Sequence, residues 1–301
     1  MAGTLALPAL ACCHAPRPAL RSPQRLLPAP PARVSRPRRL PATASLGSLS
    51  EGVSLALSAS PGLAVGCAVN AAVFTLGMPV LLRGLTPAGV AHAAVLGTLS
   101  YSAFGGGGYS LLCLYFLAGS AVTRLRLKQK QAEGIAEARS GRRSPASVWG
   151  SGAAGAACAL AALAGAPPSP ALWRLAFVAS LCSKLGDTAS SEVGKAYGRT
   201  TLLITTLQRV PRGTEGAVSL EGTAGGILGA LALALAALAA GQVTPAGAGI
   251  AVASAFVANT AESFLGTVQS SVAWLTNDLV NVLQICLAAA LALALGAWLG
   301  V

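Results

Sequence analysis

Long apolar runs separated by short polar intervals fill most of this chain. From about residue 61 onward, stretches of roughly 17–22 residues carry few charges, and a helix of that length crosses a hydrocarbon core about 30 Å thick. The stretches cover residues 61–82, 87–104, 107–123, 148–166, 170–186, 222–240, 245–265 and 279–300. The pattern predicts an all-α fold, a polytopic integral membrane helical bundle of about 7–8 transmembrane helices.

Composition agrees with this prediction. Hydrophobic residues make up 54% of the 301 residues and charged residues only 10%, whereas an average soluble domain is about 25% charged. Abundant alanine, leucine and glycine suit helices that pack closely through small side chains, not a large soluble core. Four glycines at 105–108 separate the second and third stretches. They predict either a tight turn between two short spans or a break in a re-entrant segment.

The first fifty residues differ from the rest of the chain. They hold seven arginines, no lysine, and no acid before Glu51. An acid-free, arginine- and serine-containing leader predicts a disordered organelle transit peptide over residues 1–50, followed by a membrane domain over 51–301. The alternative is a basic tail that binds anionic lipid or nucleic acid. Because these arginines supply more than half of the net charge of +12, that charge does not indicate nucleic-acid binding.

The charges of the polar intervals predict which ends of the spans lie together. The loop over residues 123–147 carries seven basic residues against two acids, so the positive-inside rule places it on the cytoplasm-equivalent side, which in a plastid is the stroma. If each later apolar stretch crosses the membrane once, Asp187, Glu262 and Asp278 lie on the same side as this loop. We therefore expect six of the nine acids to converge at one membrane face.

The interval over residues 187–223 concentrates the polar chemistry of the chain. It holds four of the nine acids, five glycines and four basic residues between two apolar stretches. Because a charge beside a bilayer is costly, such a cluster is a functional site by default. Carboxylates, basic side chains and glycines are together what a Mg²⁺-bound polyphosphate requires. We predict a catalytic loop here.

Two carboxylates open this interval. Asp187 directly follows an apolar run, so it is predicted at a helix end near the headgroups, where it can ligate Mg²⁺ with phosphate oxygens. Glu192 is a candidate second ligand or outer partner. The alternative for Asp187 is a helix cap that pairs with Lys184 or Lys195.

The basic residues of the interval are candidate phosphate ligands. In the run GKAYGR, Gly194 and Gly198 let backbone N–H groups approach an anion that Lys195 and Arg199 neutralise. No Walker P-loop occurs in the chain, and a GxxxG spacing also serves helix packing. Further candidates follow in the run QRVPRGTEGAVSLEG, at Arg209, Arg212, Gly213, Ser219, Glu221 and Gly222. Positive-inside anchoring is the alternative role of the two arginines.

Polar residues also mark the last apolar stretch. Asn277, Asn281 and Gln284 are spaced i, i+4, i+7 and share one helix face. A polar stripe on a membrane span must face protein or a cavity. Hydrogen bonding between helices is the alternative to a place in the site.

At this point the motifs resemble known families. The run GDTASSEVGKAYG resembles the signature of integral-membrane polyprenol and dolichol kinases and related cytidylyltransferases, with matches at Asp187, Ser191, Gly194, Lys195 and Gly198. The run SLEGT resembles the motif that closes that signature, although a lysine often found before its serine is Val218 here. Four motifs together, DTASSEVGK, VPRGTEGAVSLEG, ESFLGTVQ and NDLVN, resemble more narrowly the plastid phytyl-phosphate kinases of tocopherol biosynthesis.

This resemblance implies a kinase of the chloroplast membrane, envelope or thylakoid, with its catalytic loop towards the stroma. It implies transfer of the γ-phosphoryl group of CTP or ATP to phytyl monophosphate, giving phytyl diphosphate for tocopherol (vitamin E) synthesis and phytol salvage from chlorophyll. The implied partners are an isoprenoid phosphate, a nucleotide and the lipid bilayer, with no nucleic acid.

On this basis we assign roles to the candidate residues. The expected catalytic residues are Asp187, Glu192 and Lys195. The expected Mg²⁺ ligands are Asp187 and Glu192, with Glu262 and Asp278 for a second ion. The expected phosphate-binding residues are Ser191, Gly194, Gly198, Arg199, Arg209, Arg212, Gly213, Ser219, Glu221 and Gly222.

Two other functions remain compatible with the residues. A kinase acting on phytol or another isoprenoid alcohol would need an acceptor for the hydroxyl proton, and Asp187 or Glu192 can serve. A membrane transporter is the alternative outside the enzymes. It fits less well because the spans carry almost no ionisable residues and no inverted repeat is evident.

Overall fold

The computed structural model describes residues 60–269, 271–272 and 274–301. The predicted transit peptide lies outside these residues. The helices are α1 Leu63–Gly84, α2 Pro87–Thr123, α3 Leu127–Ala132, α4 Pro145–Leu163, α5 Pro170–Tyr197, α6 Leu220–Ala239, α7 Pro245–Gln269 and α8 Asn277–Leu299. Two short strands, β1 Thr201–Leu203 and β2 Ala217–Ser219, pair antiparallel between α5 and α6.

Several helices begin at a proline that follows a hydroxyl side chain. Thr86, Ser144 and Ser169 each accept a hydrogen bond from a backbone N–H in the first turn of α2, α4 and α5. The proline that follows has no N–H to leave unpaired, and its fixed φ suits the first helical position. These helix starts are therefore encoded locally in the sequence.

Helix α2 is a hairpin that reverses at Gly105. Its backbone there has φ 63° and ψ −163°, a region that only glycine adopts readily. Tyr101 and Tyr109 bring their rings within 5.6 Å. Arg143 accepts a hydrogen bond from Thr86 N–H and lays its guanidinium 4.9 Å from the ring of Tyr115. In a straight helix, residues 86 and 115 would be about 44 Å apart, so the two halves of α2 lie side by side.

Within the described part of the chain, six helices are long and apolar enough to cross a membrane: α1, α2, α4, α6, α7 and α8. The hairpin gives α2 two passes of about 18 residues, or roughly 27 Å each. Helix α5 is not one of these six; it lies among them, with residues 175–184 buried. The prediction of an all-α bundle with about 7–8 transmembrane helices is confirmed. The glycines mark a tight turn, which is one of the two alternatives that the sequence predicts.

Helix α5 is the axis of the bundle. It packs against α2, α4, α6, α7 and α8, and the ten side chains from Leu175 to Lys184 are all buried. Small residues let α6 approach it closely: a Cβ on Gly226 would lie 3.0 Å from the carbonyl oxygen of Gly186, and one on Gly222 would lie 2.8 Å from that of Ser190. Such contacts through small residues are what joins helices in lipid.

One boundary differs from the sequence prediction. Helix α5 does not end near Asp187; it continues for ten more residues to Tyr197. The prediction ended the span where apolar residues stop. The following residues include Ala, Glu and Lys, which favour helix, so the helix extends beyond its apolar part. The first third of the predicted catalytic loop is therefore helical.

His92 has a packing role within the helical bundle. Its Nδ1 accepts a hydrogen bond from Trp149 Nε1 at 2.9 Å, which joins α2 to α4. The five cysteines within the described part of the chain are free thiols.

Candidate active site

One end of the bundle holds a cavity of about 750 Å³. Its walls come from the basic loop (residues 124–144), the C-terminal half of α5, the β-hairpin (β1, β2 and their connection) and the adjoining parts of α2, α4, α6, α7 and α8. The predicted site residues that line it are Asp187, Ser191, Glu192, Gly194, Lys195, Arg212, Gly213, Ser219, Glu262 and Asp278. The structure thus brings most of the candidates to one place.

The remaining candidates lie apart from this cavity. Gly198, Arg199 and Glu221 line a neighbouring cavity of about 420 Å³, which Arg212 also borders. Arg209 and Gly222 line neither of these two cavities. The roles of these five residues in phosphate binding stay predictions.

Lys184 is a buried lysine in the wall of the cavity. Its Nζ donates hydrogen bonds to Asp187 Oδ2 at 2.5 Å and to Asn281 Oδ1 at 2.7 Å, and its side chain is only 8% exposed. It joins α5 to the first turns of α8, where Asp278 also lies. The two ends that the span count places together, near residues 187 and 278, are therefore together in the structure. Asp187 pairs with Lys184, as the alternative for Asp187 predicts. Both residues lie inside α5, however, so Asp187 does not cap a helix.

Asp187 and Glu262 form an acidic pair across the cavity. Asp187 is on α5 and Glu262 on α7, both line the cavity, and they are close enough for their negative charges to repel each other. Like charges held together in a partly dry site favour a bound cation between them. These two carboxylates are the best-placed candidates for Mg²⁺.

A closed metal cage is not what this site offers. Within the described residues, no three His, Cys, Asp or Glu side chains group closely enough to hold an ion by themselves. Mg²⁺ usually takes one or two carboxylates together with waters and substrate phosphates. The donor set therefore fits a magnesium ion that arrives with a nucleotide better than a permanent protein metal centre.

Glu192 forms a buried ion pair with Lys130. Its Oε2 pairs with Lys130 Nζ, and both side chains are at most 2% exposed. Lys130 also donates to the carbonyl oxygen of Thr123 at 3.0 Å. This buried pair fastens α3 and the basic loop onto α5. The role of Glu192 as a metal ligand stays a prediction.

Two further ion pairs lie at the rim of the cavity and are partly exposed. Lys195 Nζ is 3.1 Å from Glu137 Oε1, and Arg212 donates to both oxygens of Glu133 at 2.8 and 2.9 Å. Burial raises the pKa of Glu137, but the charge and hydrogen bond of Lys195 together with the charges of Lys184 and Lys130 outweigh it, so the pKa lies below its ordinary value. Exposed pairs contribute only about 0–1 kcal/mol. Lys195 and Arg212 can therefore exchange these partners for a phosphate.

The polar stripe on α8 serves both of its expected roles. Asn277 and Asn281 line the cavity. Gln284 is buried and donates to Ser183 Oγ at 3.1 Å, beside the amide of Asn259 on α7. Asn277 and Asn281 therefore belong to the site, and Gln284 joins α8 to α5 and α7.

Gly194 and Ser219 line the cavity where α5 meets α6. Ser219 caps α6 by accepting a hydrogen bond from Gly222 N–H at 3.1 Å. A Cβ on Gly194 would lie 3.4 Å from Ser219 Oγ and 3.8 Å from the Cα of Gly222. The small residues of the GxxxG spacing thus pack two helices together, in addition to any contact with an anion.

The sequence prediction missed the contribution of the basic loop and of Lys184. Glu137, Arg142 and Arg143 line the cavity, and Tyr115 from α2 lines it beside Arg143. The loop carried a signal, since its charges were the basis of the predicted orientation. Its pairing with residues about 60–80 positions away has no local signature.

Comparisons with known proteins place the chain in a family. The family model described as "Integral membrane protein DUF92" matches residues 70–289. The chain belongs to this family of integral membrane proteins. It is 45% identical to "Protein VTE6, chloroplastic" from Arabidopsis thaliana over 252 residues, which are 82% of this chain and 76% of that protein. No solved structure matches the chain.

The family extends well beyond plants. The chain is 50% identical over 214 residues to "Uncharacterized membrane protein sll0875" from Synechocystis, covering 71% of this chain and 83% of that one. It is 31% identical over 154 residues to "Uncharacterized membrane protein MJ0933" from Methanocaldococcus jannaschii, covering 51% and 61%. The plastid relative confirms the recognition made from the four motifs. The chain is a multi-pass membrane protein of the chloroplast.

Proposed function

We propose that this protein is a kinase that transfers the γ-phosphoryl group of CTP or ATP to phytyl monophosphate in the 750 Å³ cavity. The product, phytyl diphosphate, serves tocopherol synthesis and phytol salvage from chlorophyll. The observation that carries the proposal is the cavity itself: buried Lys184 and the exchangeable cations Lys195 and Arg212 surround Asp187 and Glu262 at one end of an apolar bundle. A substrate with a lipid tail and a phosphate head fits that position.

The acceptor needs no general base. The second pKa of a phosphate monoester is about 6, so its terminal oxygen is already ionised at neutral pH. The difficulty is to bring two anions together, and catalysis is mostly positioning and charge neutralisation. Within the described part of the chain, His92 is hydrogen-bonded to Trp149 and lies outside the lining of the cavity, which is consistent with such a mechanism.

Each cation has a distinct task. Lys184 is held by Asp187 and Asn281, so two of the three N–H donors of its ammonium group are used and one remains for a phosphate oxygen. Lys195 and Arg212 reach the phosphates by leaving their rim acids. Arg212 has a planar guanidinium that can grip a phosphate with two parallel hydrogen bonds.

Asp187 and Glu262 would hold the Mg²⁺ that accompanies the nucleotide. The ion would supply positive charge that offsets the negative charge of the phosphates. The contribution of the chain is to hold the two carboxylates rigidly, on α5 through Lys184 and on α7 through the packing of that helix. Asp278 stays a predicted ligand of a second ion on the opposite wall.

Charge supports a stromal orientation of the site. The basic loop forms part of the cavity wall and carries half of the basic residues in the described part of the chain. The positive-inside rule places that side towards the stroma, where nucleotide is available. We propose that nucleotide enters from the stroma.

A product assay tests the proposed reaction. Purified protein in lipid nanodiscs is given phytyl monophosphate or phytol with CTP or ATP, and the products are identified by mass spectrometry. We expect phytyl diphosphate from the monophosphate, dependent on added Mg²⁺. Formation of phytyl monophosphate from phytol, with no diphosphate from the monophosphate, would instead establish an alcohol kinase.

A further inference from the structure

The cavity is not polar throughout. Away from the rim it continues between α6 and α7, where its walls are apolar and consist of Ile227, Ala230, Val252 and Phe256. The opposite wall, between the ends of α2, α4 and α8, carries Arg142, Arg143, Ser147, Ser151 and Asp278. One wall of the same cavity therefore suits hydrocarbon and the other suits charged groups.

The apolar wall opens to the outside of the bundle. Ile227 is 41% exposed and Phe256 is 48% exposed, yet both line the cavity. Both lie on helices long and apolar enough to span the membrane. A side chain that borders the cavity and also reaches the outer surface of such a helix marks a gap between α6 and α7 that faces lipid.

Polarity changes gradually along this gap. On α6 the cavity lining passes from Thr223 to Ala230, seven residues or about 10 Å along the helix. On α7 it passes from Glu262 to Val252, ten residues or about 15 Å. Gly186, next to Asp187, lies against Gly226 and Ala230 of α6 and against Asn259 of α7, so Asp187 lies where the apolar part of the gap begins.

We propose that the gap between α6 and α7 is the lateral entrance and binding groove for the prenyl tail of the phosphate acceptor. This inference rests on the proposed function, and it adds the residues that select the tail. The phosphate lies beside Asp187, the tail beyond its first isoprene unit passes between Ile227 and Phe256, and the rest stays in the bilayer. The nucleotide occupies the basic wall.

The groove acts by shape more than by affinity. Lipid is as apolar as these side chains, so moving the tail from bilayer to groove gains little free energy. What the groove supplies is alignment of the phosphate, and a small misplacement of a reacting group has a large effect on rate. Narrowing the groove should therefore impair long-tailed acceptors and spare short ones.

Matched pairs of variants test this. Ile227→Trp narrows the groove, whereas Leu228→Trp changes a neighbouring residue that is 64% exposed and does not line the cavity. Phe256→Trp and Val257→Trp form the same kind of pair on α7, with Val257 50% exposed. Activity is measured in nanodiscs with phytyl monophosphate and with isopentenyl monophosphate, a five-carbon acceptor.

For Ile227→Trp and Phe256→Trp we expect kcat/KM for phytyl monophosphate to fall about tenfold or more through misplacement of the phosphate. Activity with the five-carbon acceptor and the KM for nucleotide should stay within about twofold of wild type, as should all values for the two controls. Equal losses with both acceptors, or equal losses in the variants and their controls, would overturn the proposal.

A second measurement does not depend on turnover. A prenyl monophosphate with a photoreactive diazirine in its tail is cross-linked to wild-type protein, and the adducts are located by mass spectrometry. We expect adducts on the facing sides of α6 and α7 that excess phytyl monophosphate suppresses, in contrast to those of a diazirine lipid without phosphate. Adducts on other helices only would refute the groove. If wild type makes no diphosphate but these adducts form, the proposed function fails and the groove stands.

Discussion

The four ion pairs around the cavity fall into two kinds. Lys130–Glu192 and Lys184–Asp187 are almost completely buried, whereas Lys195–Glu137 and Arg212–Glu133 are about 20–46% exposed. The chemical groups are nearly the same in both kinds, but their surroundings differ. A buried pair cannot be opened without leaving an unpaired charge in a dry site, while a rim pair is screened by water. The buried pairs fix geometry, and the rim pairs supply cations that a substrate can take over.

Opening the deepest pair should have the largest effect. Glu192→Ala leaves Lys130 charged and buried, so we expect the free energy of unfolding to fall by about 3–5 kcal/mol. Denaturation of the purified protein in detergent measures this change. The double variant Lys130→Met with Glu192→Leu removes both charges and should recover most of the loss. A double variant as unstable as the single one would show that the pair has no such anchoring role.

The second buried pair is expected to affect chemistry more than stability. Asp187→Asn keeps a hydrogen-bond acceptor for Lys184 but removes the negative charge proposed to hold Mg²⁺. We expect turnover to fall about 10²–10³-fold or more, comparable to the loss of a key electrostatic group in other enzymes. Membrane insertion should be retained, and thermal stability, measured in parallel, should fall less than in Glu192→Ala, because the amide oxygen still accepts a hydrogen bond from Lys184. Near-normal activity in this variant would exclude the metal role of Asp187.

Removing a rim cation should have an intermediate effect. Lys195→Met loses one charge-assisted hydrogen bond to phosphate, worth about 1.5–3 kcal/mol, so the KM for a phosphate substrate should rise roughly 10–100-fold. Stability should hardly change, because Lys195 is paired only at the rim. Lys195→Arg should restore part of the binding. If Lys195→Met instead unfolds the protein, the rim pair is as structural as the buried ones.

Removing a rim acid should have the smallest effect. Glu133→Gln releases Arg212 from its partner, and since an exposed pair contributes about 0–1 kcal/mol, the nucleotide KM should fall by up to about fivefold. The free energy of unfolding should change by less than about 1 kcal/mol. A large rise in KM would mean that Glu133 positions Arg212 for substrate and does not compete with it.

Much of this architecture could be predicted from the sequence because it depends on whether each segment is suited to water or to lipid. Apolar length gave the spans, and the charge of one loop gave the end at which residues 187 and 278 meet. The turn within α2 was visible as four glycines, since only glycine accepts the backbone found at Gly105. These signals are either local in the sequence or follow from the number of spans between two segments.

The missing parts depend on tertiary contacts. The partner of Glu192 lies 62 residues earlier in the chain, and that of Arg212 lies 79 residues earlier. In the sequence, nothing distinguishes Lys130 and Glu133 from the other charged residues of the loop. Lys184 lies at the end of an apolar run, where it can be interpreted as a flanking charge. Only the packing of α8 against α5 shows that it lies in the wall of the cavity.

The reversal at Gly105 determines the orientation in which all the later helices cross the membrane. Chain direction changes there through a single residue, with no spare length to absorb an error. If that reversal failed, the spans after it would be inserted in the opposite orientation, and the cavity would open towards the wrong compartment. Gly105 is far from any reacting atom, yet a side chain there would threaten activity through topology, by the orientation in which the protein is inserted.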